Sequence, residues 1–169
     1  VEKRDKEQWM LAITKYADSL LEGLKEVDYV TRAKVQQEHW IGRKEGVNIT
    51  YKVEGSEEKV VCFTTRPDTN FGATFVVVGP EHPLVSTITK SDQKKEVDEY
   101  VKKAKLRKEI ERTAEDKEKT GVFTGSYCIN SLNNKKIPIW VADYVLGNVG
   151  TGAVVGVPGH DKRDFAFAK

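Results

Sequence analysis

The sequence predicts an α+β fold, a barrel or strongly bent β-sheet with flanking helices, on three observations. Val47, Ile49, Tyr51 and Val53 alternate with polar residues, the period of a half-buried strand. Short β-branched and aromatic runs bounded by turn residues recur before and after a charged central stretch. Helical patterning intervenes between the strands and flanks them, with no βαβ alternation and no repeat.

The elements follow in order. Lys3 to Lys25 reads as one amphipathic helix, because Trp9, Ile13, Tyr16, Ala17, Leu20 and Leu24 share a face. After WIGRKEG the period changes to the alternating strand. EGSEE then supplies a turn, KVVCFTT a second strand and ATFVVVG a third, buried one, with a short helix expected in EHPLVSTI. Ser91 to Glu118 reads as an exposed, narrowly amphipathic helix, with Val97, Tyr100, Val101 and Ala104 on one side. Its mixed Lys and Glu favour a solvated face over an RNA-binding stripe. GVFTGSYCI, KKIPIWVADYV and GAVVGVP are further strands, separated by NSLNNK and LGNVG. The closing KRDFAFAK reads as a helix without a stop signal, and the chain lacks an initiator methionine, so it reads as a piece of a longer protein.

A chain of 169 residues suits one domain, or one with an appendage. No apolar run approaches the roughly 20 residues that span a bilayer, and Val1 to Asp5 carry no signal-peptide pattern, so no membrane partner is expected. Cys62 and Cys128 lie far apart without C-x-x-C spacing, which argues against structural zinc and a secreted disulfide framework and favours a cytoplasmic location. A net charge of +2 neither requires nor excludes a nucleic-acid partner.

Two polar clusters carry the chemistry. In GTGAVVGVPGHDKRDF the glycines suggest a dinucleotide loop, but that mechanism needs a helix directly after them. Val154, Val155 and Val157 favour a strand, and Pro158 breaks a helix. The glycines read instead as close packing beside a strand, and Asp161 as the cap of a following helix, with Asp164 one turn on. His160, Asp161 and Asp164 have ligating atoms, yet no further His or acidic cluster adjoins them, which disfavours a metal. In FTTRPDTNFG, Pro67 keeps Arg66 extended and starts a turn, placing Thr64, Thr65, Arg66 and Thr69 at one strand end. Ligand binding and plain turn stabilisation are equally good readings of that cluster.

Taken together, EKRDKEQWMLAITKYADSLLEGL, WIGRKEG, FTTRPDTNFGATFVVVGPEHPLV, KTGVFTG, IPIWVADYVL and GTGAVVGVPGHDKRDF resemble, in order and over nearly the whole chain, bacterial-type leucyl-tRNA synthetases. The resemblance makes this segment the counterpart of the connective insertion that holds the editing domain in those enzymes. The resemblance implies the barrel-like editing fold shared with the valyl and isoleucyl enzymes. Residues 1–40 would be a leading helix and linker, and residues 41–169 an editing domain cut short at its C-terminus. It implies hydrolysis of mischarged tRNA(Leu), carrying for example isoleucine or norvaline, with the rest of the synthetase in cis and as a monomer. The alternative is a noncatalytic insertion that docks the tRNA 3′ end. Neither the HIGH nor the KMSKS motif is present, so ATP and Mg2+ belong to a synthetic site that this chain lacks, and editing needs no cofactor.

By the same resemblance, Asp164, assisted by Asp161, holds the α-ammonium group of the substrate. Thr64, Thr65 and the backbone near Arg66 meet the ribose and ester oxygens, Asp164, Thr65 and Arg66 forming the catalytic set. Thr69 blocks leucine, and Val155 and His160 complete the pocket. No nucleophile elbow or Cys–His signature is present, so an oriented water is the expected nucleophile. The chain departs from the family where Val155-Gly156 replaces Met-Ala, Val149 replaces an aromatic residue, and VPGHDKRD, with Lys162, replaces VPAHDERD. The first two changes predict a roomier pocket and the last a more basic rim.

Overall fold

The computed structural model describes residues 6–108, 111–112, 118–147 and 149–169, and the chain divides into two compact units, Val1–Glu45 and Gly46–Lys169. In the first unit a 3₁₀ turn at Ile13–Tyr16 runs into α1 (Ala17–Glu26), followed by α2 (Thr31–Ile41). The helix expected from Lys3 thus starts later: residues 6–12 are not helical, and Lys3 to Asp5 lie outside the described residues. No side chain caps this N-terminus, and of the expected apolar face only Leu24 is buried while Trp9, Ile13, Tyr16 and Leu20 are exposed. A short helix with few tertiary contacts is marginal. α2 escapes sequence reading because its apolar residues form no stripe; Val35 and Trp40 are exposed.

The second unit holds β1 (Val47–Val53), β2 (Lys59–Thr64), β3 (Phe75–Val78), α3 (Val85–Ile88), α4 (Lys94–Leu106), β4 (Gly121–Asn130), β5 (Lys135–Ala142), β6 (Ala153–Gly156) and α5 (Lys162–Ala168). Its strands form one six-stranded sheet in the order β2-β1-β4-β5-β3-β6, and the outer strands β2 and β6 approach each other, so the sheet curls into a nearly closed barrel. β1 pairs antiparallel with β2 (Tyr51 opposite Val60) and briefly with β4, β4 pairs antiparallel with β5, and β3 lies between β5 (parallel) and β6 (antiparallel). The β4–β5 register shifts between Phe123 and Tyr127, around Gly125 at φ +80, a left-handed backbone that suits glycine and lets β4 bend.

The core follows from the alternation. Tyr51, Val53, Val60, Cys62, Val76, Val78, Ile137, Ile139 and Val141 fill the interior, with Val97 of α4 packed on them. β3 is buried on both faces: Phe75 and Val77 point the other way into a second cluster with Ala142 and Val145, covered by Trp140, Tyr144 and Phe167. That explains a continuous apolar run in a mostly antiparallel sheet.

The central helix is shorter than expected. A 3₁₀ turn at Ser91–Gln93 leads into α4, which ends at Leu106, while residues 109–110 and 113–117 of the expected span lie outside the described residues. Arg107 turns extended and its guanidinium pairs with buried Asp143 at 2.7 Å. Arg112, expected on a solvated face, is 4% exposed.

Candidate functional site

The corner after β6 builds itself from local rules. Pro158 and Gly159 end the strand, and Asp161 caps α5 in extended conformation, its Oδ1 accepting the N–H of Arg163 at 2.7 Å and of Asp164 at 3.1 Å. The Arg163 guanidinium also binds Asp161 Oδ2, and with the two backbone donors it holds the Asp161 carboxyl down at about 2. Asp164, one turn on, faces inward. Its Oδ2 accepts the Val157 N–H at 2.9 Å, and its Oδ1 lies 3.9 Å from Lys119 Nζ. Burial pushes the Asp164 carboxyl above the usual range; neighbouring Asp161 adds to this, and the Val157 N–H, Lys119 and Arg163 oppose it.

These groups line a cavity of about 470 Å³, with Val155, Val149 and Tyr144 among its walls. Lys119 Nζ also sits 4.2 Å from the centroid of the Tyr144 ring, and burial lowers the Lys119 pKa. The Tyr144 hydroxyl is buried with no hydrogen-bond partner among the described residues. The loop after β5 is stapled in place. Arg112 donates to Asp143 O at 2.7 Å and Val145 O at 3.1 Å and grips Glu81 with both terminal nitrogens, while Glu81 accepts the Gly147 N–H at 3.3 Å. The close-packing reading fits Gly152 but not Gly150: Gly152 has φ +65, and a Cβ there would lie 2.5 Å from Gly147 O and 2.9 Å from the His82 ring, whereas a Cβ on Gly150, at φ +59, would meet nothing within 4 Å.

The turn after β2 is a different object. Thr64 Oγ1 accepts the Arg66 N–H at 3.0 Å, and the buried Thr69 hydroxyl donates to Arg66 O at 2.9 Å. The Arg66 guanidinium is exposed and holds Asp68 through two bonds of 3.0 and 2.8 Å. Thr65 is exposed. The 3₁₀ turn Pro67–Gly72 is clamped from the core: Tyr51 donates to Asn70 Oδ1, Asn130 donates to Asn70 O at 2.8 Å, and Asn133 donates to Phe71 O at 3.0 Å.

Of the residues singled out in the sequence, the structure brings Asp161, Asp164 and Val155 to one cavity. Thr64, Thr65, Arg66 and Thr69 do not line it. Their turn adjoins the same end of β6, where a Cβ on Gly72 would touch Val157 at 3.4 Å and Thr74 N–H bonds Gly156 O at 3.0 Å. His160 is exposed on the connecting loop; the Asp68 carboxyl is held below its usual range chiefly by the hydrogen-bonded Arg66 guanidinium, with His160 adding least. Gly156 does not enlarge the cavity as expected: the space of its missing methyl is filled by the Phe75 ring, whose Cε2 would lie 2.2 Å from a Cβ. Lys119 and Tyr144 lie within KTGVFTG and IPIWVADYVL but carry no sequence signal of their own, since neither has a polar neighbour at a telling spacing. Cys62 and Cys128 are buried, and burial pushes both thiols up to about 12, which keeps them protonated core residues. Among the described residues, no group of three or more His, Cys, Asp and Glu side chains is placed to hold a metal ion.

Comparison with known proteins adds independent findings. Residues 38–169 match the family model of the leucyl-tRNA synthetase editing domain. Among solved structures, the chain is similar to the Agrobacterium radiobacter K84 agnB2 LeuRS, seen in a ternary complex with tRNA and LeuAMS, with 38% identity and a TM-score of 0.75. The match covers 94% of this chain and 20% of that one, so this chain spans about a fifth of the length of that relative.

Proposed function

The chain belongs to the leucyl-tRNA synthetase editing-domain family, and we propose that it hydrolyses the ester joining a noncognate amino acid, such as isoleucine or norvaline, to the terminal adenosine of tRNA(Leu). The observation that carries this reading is Asp164: a half-buried carboxylate in a cavity of about 470 Å³, with one oxygen anchored by Val157 and the other turned toward a cation. Such a group recognises an ammonium by a charge-assisted hydrogen bond. Asp161 fixes the helix that presents it. Val155 and Val149 offer apolar wall for a short side chain, and His160, exposed on the loop that precedes Asp161, completes the set.

The turn after β2 supplies the other half. Thr64, Thr65 and the Arg66 backbone bind ribose and ester oxygens, and Thr69 excludes leucine by its β-branched, conformationally stiff side chain. An aminoacyl ester is already reactive, so orienting a water and stabilising the developing oxyanion suffices, without a metal or a dedicated base. The second sieve is useful because apolar pockets separate branched isomers by only about 1–3 kcal/mol. In the cell the domain would work in the cytoplasm, within one synthetase monomer.

Incubation of the chain with isoleucyl-tRNA(Leu) tests the reading. Ester cleavage above the spontaneous rate, unaffected by chelator and lost in Asp164→Ala, is the expected result. Cleavage at the spontaneous rate in the wild type would falsify it. The Thr64 and Thr69 hydroxyls bonded inside their own turn favour one alternative, a noncatalytic module that docks the tRNA 3′ end. That module would bind the tRNA without speeding cleavage.

A further inference from the structure

The cavity already holds a cation. Lys119 Nζ lies 3.9 Å from Asp164 Oδ1, beyond direct hydrogen-bond distance, and 4.2 Å from the centre of the Tyr144 ring. That ring is fixed by edge-on packing against Phe167, with centroids 5.7 Å apart. A carboxylate facing an aromatic ring in a half-buried site is a general receptor for an ammonium ion. The side chains of Lys119 and Asp164 are 19% and 18% exposed, so solvent screens them only partly.

We propose that Lys119 is a built-in competitor for the ammonium group of the substrate: it occupies that subsite in the free protein, yields it on binding, and so sets the affinity for the aminoacyl group. This rests on the aminoacyl-ester reading of the cavity. Among the described residues, the groups facing Asp164 are Asp161 and Arg163 on its own helix cap, the Val157 N–H from the end of β6, Tyr144 from the loop after β5, and Lys119 from the segment before β4. Lys119 is the one cation among them on a different element from Asp164. Its four-carbon stem lets the ammonium swing out to water, and burial already works against its charge where it stands. A substrate ammonium arriving beside it meets like charge, which weakens binding of the charged ligand and of no other.

The test uses two adenosine conjugates that cannot be hydrolysed. One is 3′-norvalylamido-3′-deoxyadenosine. The other carries a pentanoyl group, with the same chain and no ammonium. Their affinities for the wild-type chain and for Lys119→Met, Lys119→Gln and Lys119→Arg are measured by calorimetry, with thermal melts to confirm folding. Both neutral variants are expected to bind the norvalyl compound about three- to tenfold more tightly, with the pentanoyl compound unchanged and Lys119→Arg like the wild type. Unchanged or weaker norvalyl binding in the neutral variants overturns the proposal, and so does equal tightening of both compounds, which would mean only added room. If the wild type binds the norvalyl compound and Asp164→Ala does not, failure of the Lys119 variants leaves the aminoacyl-ester reading intact. Binding of neither compound to any of the proteins overturns both.

Discussion

The polar corners after β2 and after β6 adjoin at one end of the barrel, yet they are built on opposite plans. In the turn after β2 the polar groups satisfy one another: Thr69 and Thr64 bond the Arg66 backbone, Arg66 holds Asp68, and buried Asn70 ties the turn to Tyr51 and Asn130. In the corner after β6 only the cap is satisfied in this way. Asp164 keeps an oxygen whose nearest cation among the described residues stands at 3.9 Å, and its carboxyl is raised by burial while that of Asp161 beside it is lowered. The first corner is made to hold a shape. The second stores an electrostatic imbalance that a cationic ligand relieves.

The largest break in that contrast is Asp164→Asn. It keeps the shape and an acceptor for Val157 but removes the charge, and kcat/KM for isoleucyl-tRNA(Leu) hydrolysis should fall about a hundredfold. The wild type should lose activity on acidification at a pH above the ordinary carboxylate range, because only ionised Asp164 holds an ammonium and its pKa is raised. The variant should show no such limb. The sign for stability is opposite: with a raised folded pKa, the contribution of Asp164 is present at low pH and lost as pH rises through that pKa. The neutral variant escapes this loss, so its Tm at pH 7 should be no lower than that of the wild type. A falling Tm alongside the lost activity would make Asp164 a structural residue.

On the other corner the expected large effect is on folding. Asn70→Ala strips the Tyr51 hydroxyl of its acceptor inside the core, while Asn130 Oδ1 keeps the Leu132 N–H at 3.0 Å. Unsatisfied buried groups of this kind cost about 2 kcal/mol, read as a lower denaturant midpoint at unchanged slope. A loss of activity without a loss of stability would place Asn70 in the binding chemistry and blur the distinction between the corners.

Thr69 separates shape from bonding more finely. Thr69→Val keeps the branched outline and drops the hydroxyl; Thr69→Ser does the reverse. If Thr69 excludes leucine by bulk, the valine variant continues to spare leucyl-tRNA(Leu), while the serine variant hydrolyses it about tenfold faster than the wild type. Relative rates on leucyl- and isoleucyl-tRNA(Leu) decide. The opposite ranking would assign discrimination to the bond from Thr69 to Arg66 O.

The sequence made much of this legible, for reasons that differ by element. Strands were readable wherever one face is buried, as at Tyr51 and Val53, because the period-two pattern is written by burial itself. The Asp161 cap was readable because capping is local. Long-range partners were not. Nothing at Gly156 says that the Phe75 ring fills its side-chain space, so a glycine that reads as an enlarged pocket is a packing accommodation. Arg112 reads as one more charge on a solvated stretch until Glu81 and two carbonyls of the loop after β5 surround it. Lys119 gains meaning only when folding sets it between Tyr144 and Asp164. The first unit is a third case: the apolar stripe from Trp9 to Leu24 reads as a face that needs a partner surface, and most of it is exposed here.

The smallest effect should come from the residue most conspicuous in the motif. Arg66 presents a fork to Asp68 at the surface, with both side chains about two-thirds exposed at 66% and 61%, where solvent screens an ion pair nearly completely. Its structural duty is carried by its backbone: the carbonyl accepts from both the Thr69 N–H and hydroxyl, and its N–H reaches Thr64. An alanine at this position can make every one of those bonds. Arg66→Ala should therefore leave the Tm unchanged and, if the Arg66 backbone is what meets the ester, lower kcat/KM less than tenfold, with leucyl-tRNA(Leu) still spared. A drop as large as that of Asp164→Asn would show that the guanidinium leaves Asp68 to reach the substrate. The turn after β2 would then share the electrostatic plan of the corner after β6.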